Sequence, residues 1–259
     1  MIFDTELGSK RVTSELSSEQ LSVWRFIPLI NAPGQVQMAI DRWLLKQHLI
    51  HHHPPTLRFY TWCPAAISLG YHQRRWPSFW QSLPLDLVRR PTGGRAVLHQ
   101  GDLTYSIVTS GMKGNRQEVY EMLCQFLIEG WQQLGVELHY GKAGREYAGN
   151  PSCFATATAA DLMLESGEKF IGSAQLYKGN AVLQHGSMIL QQDRELFQQV
   201  FGYLPTLSIQ LPLEAVGEEL IEIIVTQLKQ AASSCWGVEF VEQPLLDWEW
   251  QDLSAFELN

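Results

Sequence analysis

The spacing of apolar residues along this chain switches repeatedly between a strand-like and a helical period. VWRFIPLI (Val23–Ile30) is apolar and β-prone and runs into Asn31-Ala32-Pro33-Gly34, which predicts a strand ending in a turn. From Gln35 to Leu49, Val36, Ala39, Ile40, Trp43 and Leu44 recur at helical spacing, so an amphipathic helix follows. TLRFYTW (Thr56–Trp62) reads as a strand and AISLGYHQ (Ala66–Gln73) as another, separated by Cys63-Pro64-Ala65. Leu83–Ser110 breaks into three strand-like pieces hinged on Thr92-Gly93-Gly94 and Gln100-Gly101-Asp102. The helical period returns between Glu118 and Leu134, where Val119, Leu123, Phe126, Leu127 and Trp131 share a face ended by Gly135.

VELHY (Val136–Tyr140) is a short strand, and the polar run GKAGREYAGN carries the chain to Cys153. ADLMLES (Ala160–Ser166) and EKFIGSAQLY (Glu168–Tyr177) then predict a hairpin tipped by Ser166-Gly167. A second turn at Lys178-Gly179-Asn180 leads to AVLQHGSMIL (Ala181–Leu190). Period-two alternation places Lys169, Ile171, Ser173 and Gln175 on one face. Helices are expected over Arg194–Phe201 and from Leu213 to about Ala232, and GVEFVEQPL is read as the last strand. Residues 1–22 form a polar lead-in and 23–259 a single domain, with no internal repeat and no linker to divide it. This mixture predicts an α/β (α+β) domain.

Charge and cysteine usage narrow the function classes. A net charge of −8 argues against a general nucleic-acid binder. No apolar run reaches the roughly 18 to 20 residues that span a bilayer, and MIFDTELGSK lacks the apolar core of a secretory signal, so no membrane partner is expected. The four cysteines show no C-x-x-C spacing, which predicts neither a zinc site nor a disulfide framework and makes the cytoplasm the expected compartment. His48, His51, His52 and His53 precede Pro54-Pro55 in a run that does not converge readily on one ion, so a solvated helix exit is expected rather than a metal site.

Two places could carry chemistry. The adjacent glycines Gly93 and Gly94 let the backbone approach a ligand, with Arg89, Arg90 and Arg95 bringing positive charge to the same spot. The stretch from Gly149 to Leu190 holds Cys153 in a Pro-Ser-Cys-Phe context and Lys169 at the head of a strand. By residue type alone, a single cysteine is usually a small buried residue and a strand lysine usually solvated. Cys63, Cys124 and Cys235 are read in that way.

The motifs PTLRFYTW (Pro55–Trp62), SLGYHQ (Ser68–Gln73), RRPTGGRAVLHQGDLTYS (Arg89–Ser106), KFIGSAQ (Lys169–Gln175) and LQHGSMIL (Leu183–Leu190), in that order, resemble the lipoate-protein ligase A / octanoyltransferase family. That family is related in fold to biotin protein ligases, and the PSCF segment most resembles its bacterial cysteine-dependent octanoyltransferases acting on lipoyl domains. The resemblance implies a biotin/lipoate ligase-like domain with a mixed, largely antiparallel sheet flanked by helices. It implies transfer of an octanoyl group from octanoyl-acyl carrier protein, through a thioester on Cys153, to a lysine of a lipoyl domain or of the glycine-cleavage H protein, with no ATP or metal. Lys169 would favour the Cys153 thiolate and manage the acceptor's proton. Arg90, Thr92, Gly93, Gly94, Arg95, Ala96, His99, Gly172, Ser173, Gln175, His185 and Gly186 would surround the substrate. Arg74, Arg75, Arg89 and Arg90 are a candidate docking patch for acidic partners.

Three other readings share these motifs: an amidotransferase moving octanoyl between lipoyl proteins, an ATP-dependent lipoate ligase, and a non-catalytic acyl or biotin sensor. The chain departs from the family pattern at Gln100, where an acidic residue is expected, and in a Cys153–Lys169 interval one residue longer than expected.

Overall fold

The computed structural model describes residues 21–141, 161–205 and 211–257. Cys153 and residues 142–150 of the polar run before it lie outside this set. Strand β1 (Ser22–Ala32) is followed by helix α1 (Gly34–His51) and strand β2 (Thr56–Trp62). Because β1 and β2 pair in parallel, the chain must cross from one end of the sheet to the other, and α1 makes that crossing. Strands β3 (Ala66–Leu69), β4 (Asp86–Arg89), β5 (Val97–His99) and β6 (Asp102–Ser110) lead to helix α2 (Arg116–Gln133). Next come β7 (Leu138–Tyr140), β8 (Leu162–Leu164), β9 (Lys169–Lys178) and β10 (Ala181–Ile189). Helices α3 (Arg194–Phe201) and α4 (Gly217–Trp236), strand β11 (Val238–Glu242) and helix α5 (Asp247–Glu257) complete the described chain.

Eight strands form one sheet in the order β11-β1-β2-β6-β10-β9-β8-β7. The β11–β1 and β1–β2 pairs are parallel and the other five pairs antiparallel, so the sheet is mixed and largely antiparallel. A second sheet, β4-β3-β5, sits beside it. The Gly93–Gly94 hinge is therefore not a hairpin turn: β4 and β5 both pair with β3, and the hinge crosses over it.

On one face of the large sheet, Leu57, Phe59, Leu103, Ile107, Ile171 and Met188 pack with Leu123, Phe126, Leu127 and Trp131 of α2 and Ile224 and Leu228 of α4. Each such side chain contributes roughly 1.5–3 kcal/mol when withdrawn from water. On the other face, Ile40, Trp43 and Leu44 of α1 meet Val108, Leu183 and Leu253. Asn115 caps α2: its side chain accepts from the Gln117 and Glu118 amides while Glu118 reaches back to the Asn115 amide.

Three local expectations need correction. The helix expected from Leu213 begins at Gly217, whose φ of +61° cannot lie inside an α-helix. AISLGYHQ ends as a strand at Leu69, and at Gly70 the chain runs so close to the Gly94 carbonyl oxygen that a Cβ would collide with it. Helix α5 follows what was read as the last strand. Its anchor is ionic: the guanidinium of Arg25 in β1 donates to both carboxylate oxygens of Glu249 at 2.7 Å, and both residues are buried. Burial alone would raise the Glu249 pKa, but the Arg25 bonds and the Leu246 amide hold it below the usual carboxylate range.

Candidate active site

The site lies where the α1 face of the large sheet meets the small sheet. Strand pairing aligns Arg58, Ser106 and His185 across β2, β6 and β10, with Tyr60, Thr104 and Ser187 in the next row. Cross-strand partners share a face, so a band of polar side chains is buried between the sheet, α1 and the Gly93–Gly94 loop. Each needs a partner, since an unpaired buried polar group costs a few kcal/mol.

Two hydrogen-bond relays supply the partners. In the first, His185 Nδ1 lies 2.8 Å from Asp41 Oδ2 and its Nε2 lies 2.6 Å from Thr92 Oγ1. Arg58 donates to Asp41 Oδ1 from Nε at 3.0 Å and Nη2 at 2.7 Å, and to the Gln37 side chain from Nη1 at 2.8 Å. Burial pushes the Asp41 carboxyl up, yet the Arg58 guanidinium and the His185 ring outweigh it and hold the pKa well below the ordinary range. Asp41 is thus an anion and His185 Nδ1–H the donor to it.

In the second relay, His99 Nδ1 lies 2.8 Å from Asp102 Oδ2 and Nε2 lies 2.8 Å from Ser68 Oγ. Trp62 stacks flat on the His99 ring at 3.8 Å between centroids. Burial lowers the His99 pKa against the opposing pull of Asp102, which keeps the ring neutral at pH 7. Nδ1–H then donates to Asp102 and Nε2 accepts from Ser68. Asp102 Oδ2 also accepts from Ser187 Oγ at 2.5 Å and Thr104 Oγ1 at 3.2 Å. Gln100, where an acidic residue is expected, accepts from the Asp193 amide at the start of α3.

Arg90 pins the glycine loop. Its Nε and Nη2 donate to the Gly93 carbonyl, Nη2 to the Arg95 carbonyl at 2.7 Å, and Nη1 to Ser68 O and Oγ. Only a planar guanidinium fork can address those three residues together. Gly94, at φ +97°, takes a backbone conformation that side chains rarely tolerate. Arg90 is accordingly buried structure, not part of an exposed docking patch. Arg89 donates to the Gly70, Tyr71 and Gln73 carbonyls, and only Arg74 and Arg75 of the four stand in solvent.

Lys169 enters this pocket through a strand irregularity. Met163 pairs with Lys169 but Leu162 with Ile171, so Phe170 is an extra residue in β9. Phe170 and Ile171 both pack in the α2-side core, and the expected alternation breaks. Lys169 does not share a face with Ile171, Ser173 and Gln175; it lines the pocket and forms an ion pair with Asp161 at 2.8 Å. A Cβ on Gly172 would stand 2.8 Å from Lys169 Cε and 3.0 Å from Nζ, so glycine there leaves room for the ammonium.

The structure gathers Lys169, Arg90, Gly93, Gly94, Arg95, His99, Gly172, His185 and Gly186 around one cavity, with apolar wall from Met38, Tyr60, Trp62 and Val97. Ser173 reaches it by backbone only. Its hydroxyl accepts from Tyr105 on the opposite face, at 2.7 Å, because Gly186 leaves that space open. Gln175 bonds Gln184 on that same far face, Thr92 acts through His185, and Ala96 is buried among Ile67, Leu69 and Trp80. Sequence reasoning missed Asp41, Asp102, Asp161, Ser68, Tyr60 and Trp62. Of these, Asp102 alone carried a legible signal, an acid three positions after a motif histidine.

The described cysteines are free thiols. Burial pushes Cys124 up to about 11 and Cys235 up to about 12, so neither is a thiolate at neutral pH. The four-histidine run splits: His48 is buried between His53 O and Ser110 Oγ, while His51 and His52 are exposed. Among the described residues no group of three or more His, Cys, Asp or Glu side chains could hold a metal, and no helix is long and apolar enough to cross a membrane.

Residues 33–246 match the family model described as the lipoyl protein ligase A/B catalytic domain. The octanoyltransferase LipM of Carboxydothermus hydrogenoformans is 38% identical over 164 residues, covering 60% of this chain and 61% of its own length. The octanoyltransferase LipM of Geobacillus kaustophilus is 37% identical over 196 residues, 70% of each chain. The match thus spans about three fifths to seven tenths of these relatives. A crystal structure of lipoate-protein ligase A bound with ATP superposes with a TM-score of 0.75 at 20% identity, over 91% of this chain and 94% of that one, a likeness of fold.

Proposed function

Because this chain belongs to the lipoyl protein ligase A/B catalytic domain family, we propose that it is a cysteine-dependent octanoyltransferase, with residues 23–259 as one catalytic domain. It takes octanoyl from octanoyl-acyl carrier protein and passes it to a lysine of a lipoyl domain or of the glycine-cleavage H protein in the reducing cytoplasm. The relatives named octanoyltransferase LipM support the reaction class. The observation that carries the reading is the bulge in β9, which brings the Lys169 ammonium and its partner Asp161 into a pocket with an apolar wall under the glycine loop.

In the first half-reaction the Cys153 thiolate attacks the donor thioester carbonyl; a new C–S bond forms, the donor's C–S bond breaks, and the donor thiolate leaves with a proton from the Lys169 ammonium. An ammonium near the sulfur favours its ionised form. In the second, the acceptor amine attacks the acyl-enzyme, Cys153 departs as thiolate, and the amine's proton passes to the now neutral Lys169, which restores the ammonium beside Asp161. The thioester is already activated, so no ATP is consumed. Met38, Tyr60, Trp62 and Val97 offer the acyl chain an apolar wall, and each buried methylene contributes about 0.8 kcal/mol.

Incubating the protein with octanoyl-acyl carrier protein, without ATP, yields a hydroxylamine-labile octanoyl adduct by intact mass that is lost in Cys153→Ala. An unmodified wild-type mass, or product that forms only with ATP, rejects the reading.

A further inference from the structure

A second concavity opens behind the glycine loop, and Arg90 and Gly93 line both it and the acyl pocket. Its charged lining residues are Arg42, Lys46, Arg89, Arg90 and Lys178, with no carboxylate among the described lining residues. In a chain of net charge −8 that is a strong local bias. Three of the five cations are already engaged: Arg90 with the loop, Arg89 with backbone carbonyls, and Lys46 over the Phe256 ring at 5.0 Å. Arg42 and Lys178 form no ion pair among the described residues, and Arg42 is half-buried while Lys178 is exposed. Leu45, Leu176 and Phe256 add apolar wall, and Tyr71, His72, Thr92 and Gln175 are its uncharged polar lining.

We propose that this groove holds the phosphate of the donor's phosphopantetheine arm, with Arg42 and Lys178 as its contacts. The inference rests on the thioester-donor reading above and adds the place where that donor is recognised. A phosphopantetheine thioester is a slender chain with its acyl group at one end and an anionic phosphodiester at the other. Such a chain needs a cationic recess beside the acyl pocket, and this groove shares Arg90 and Gly93 with it. The acceptor presents a lysine and carries no phosphate, so discrimination between the partners follows from charge at this spot.

Binding separates this from the chemistry. Using full-length Cys153→Ala, which cannot turn over, calorimetry compares octanoyl-4′-phosphopantetheine with octanoyl-pantetheine at low salt. The phosphorylated thioester is expected to bind about tenfold more tightly, a preference that shrinks with added salt. Arg42→Glu combined with Lys178→Glu brings the ratio of the two affinities toward one, and the milder Arg42→Gln with Lys178→Gln brings it part of the way. Equal binding of the two thioesters to the parent protein overturns the proposal, as does a preference that survives charge reversal. If reversal instead weakens capture of a lipoyl domain and leaves the phosphate preference intact, the groove serves the acceptor and the proposal fails. Absence of an acyl adduct in wild type rejects the transferase reading and leaves the binding comparison standing as a separate result.

Discussion

The two faces of the large sheet are built from alternate residues of the same strands, and they are stabilised in different ways. Toward α2 and α4, Leu57, Phe59, Leu103, Ile107 and Met188 contribute area, and the loss on truncation scales with the volume removed. Toward α1, Arg58, Tyr60, Thr104, His185 and Ser187 contribute paired polar atoms, and the loss depends on what a deletion leaves without a partner. The second face thus adds to its own apolar contacts with α1 a set of paired polar atoms that fixes side-chain positions for a ligand. The contrast predicts that double substitutions rescue one another only on the polar face.

The largest effects test that directly. Arg58→Met leaves Asp41 buried as an uncompensated anion and is expected to cost about 3–5 kcal/mol in urea unfolding. Adding Asp41→Asn recovers part of the loss because the charge goes with its partner. Phe59→Ala on the opposite face costs a similar 3–5 kcal/mol through its cavity, and no polar change elsewhere restores it. Equal losses in Arg58→Met with and without Asp41→Asn would contradict the distinction.

Gly172→Ala probes the polar face by position alone. Its φ lies outside the left-handed region, so alanine fits the backbone, but the new methyl meets Lys169 Cε and Nζ. The expected outcome is a fall of about tenfold in octanoyl transfer with a nearly unchanged unfolding midpoint. An equal loss of stability would make the glycine a packing residue.

Between pH 7.5 and 5 the buried polar site responds to acid through His99. His99 has a folded pKa lowered below its ordinary 6.5, so below that pH the unfolded chain binds the proton the folded chain refuses. Stability therefore falls as the solution is acidified through 6.5, until the folded pKa is reached. His99→Gln should flatten that decline relative to wild type, and an unchanged slope would mean that His99 is not the group responsible. Asp41 works at the other end of the scale. Its depressed pKa contributes stability that is full above the unfolded carboxylate value and is lost as pH falls below the ordinary range.

How far the sequence reveals this follows from which residues obey a period. TLRFYTW, the Ser166-Gly167 and Lys178-Gly179-Asn180 turns and the Arg194–Phe201 helix stand as their patterns predict, and the motif histidines reach the pocket. Asp41 was not legible because a carboxylate in an amphipathic helix reads as solvent-facing. Its burial is explained by Arg58, seventeen residues on in sequence. The position of Lys169 was not legible either: period-two counting assigns it the wrong face, and the bulge that reverses it shows only in the register. Helix α5 escaped because its hold on the sheet combines Glu249 with Arg25, a pair 224 residues apart, with the contact of Leu253 with the α1 core, and neither partner is near it in sequence. Cys153 lies outside the described residues, and its role rests on the sequence and on the proposed chemistry.

The smallest prediction sharpens the comparison most, because it uses one substitution at two neighbouring serines. Ser187 donates to Asp102, and Ser187→Ala takes one of its hydroxyl partners from a buried carboxylate, at an expected cost of about 1 kcal/mol. Ser106 sits one row away between Arg58 and His185, equally buried, and its hydroxyl has no hydrogen-bond partner among the described residues. Ser106→Ala therefore removes an unmet desolvation cost and should be neutral or stabilising by up to about 1 kcal/mol. Identical chemistry with opposite sign is the signature of a face governed by pairing; losses of the same size at both serines would mean that packing governs this face too.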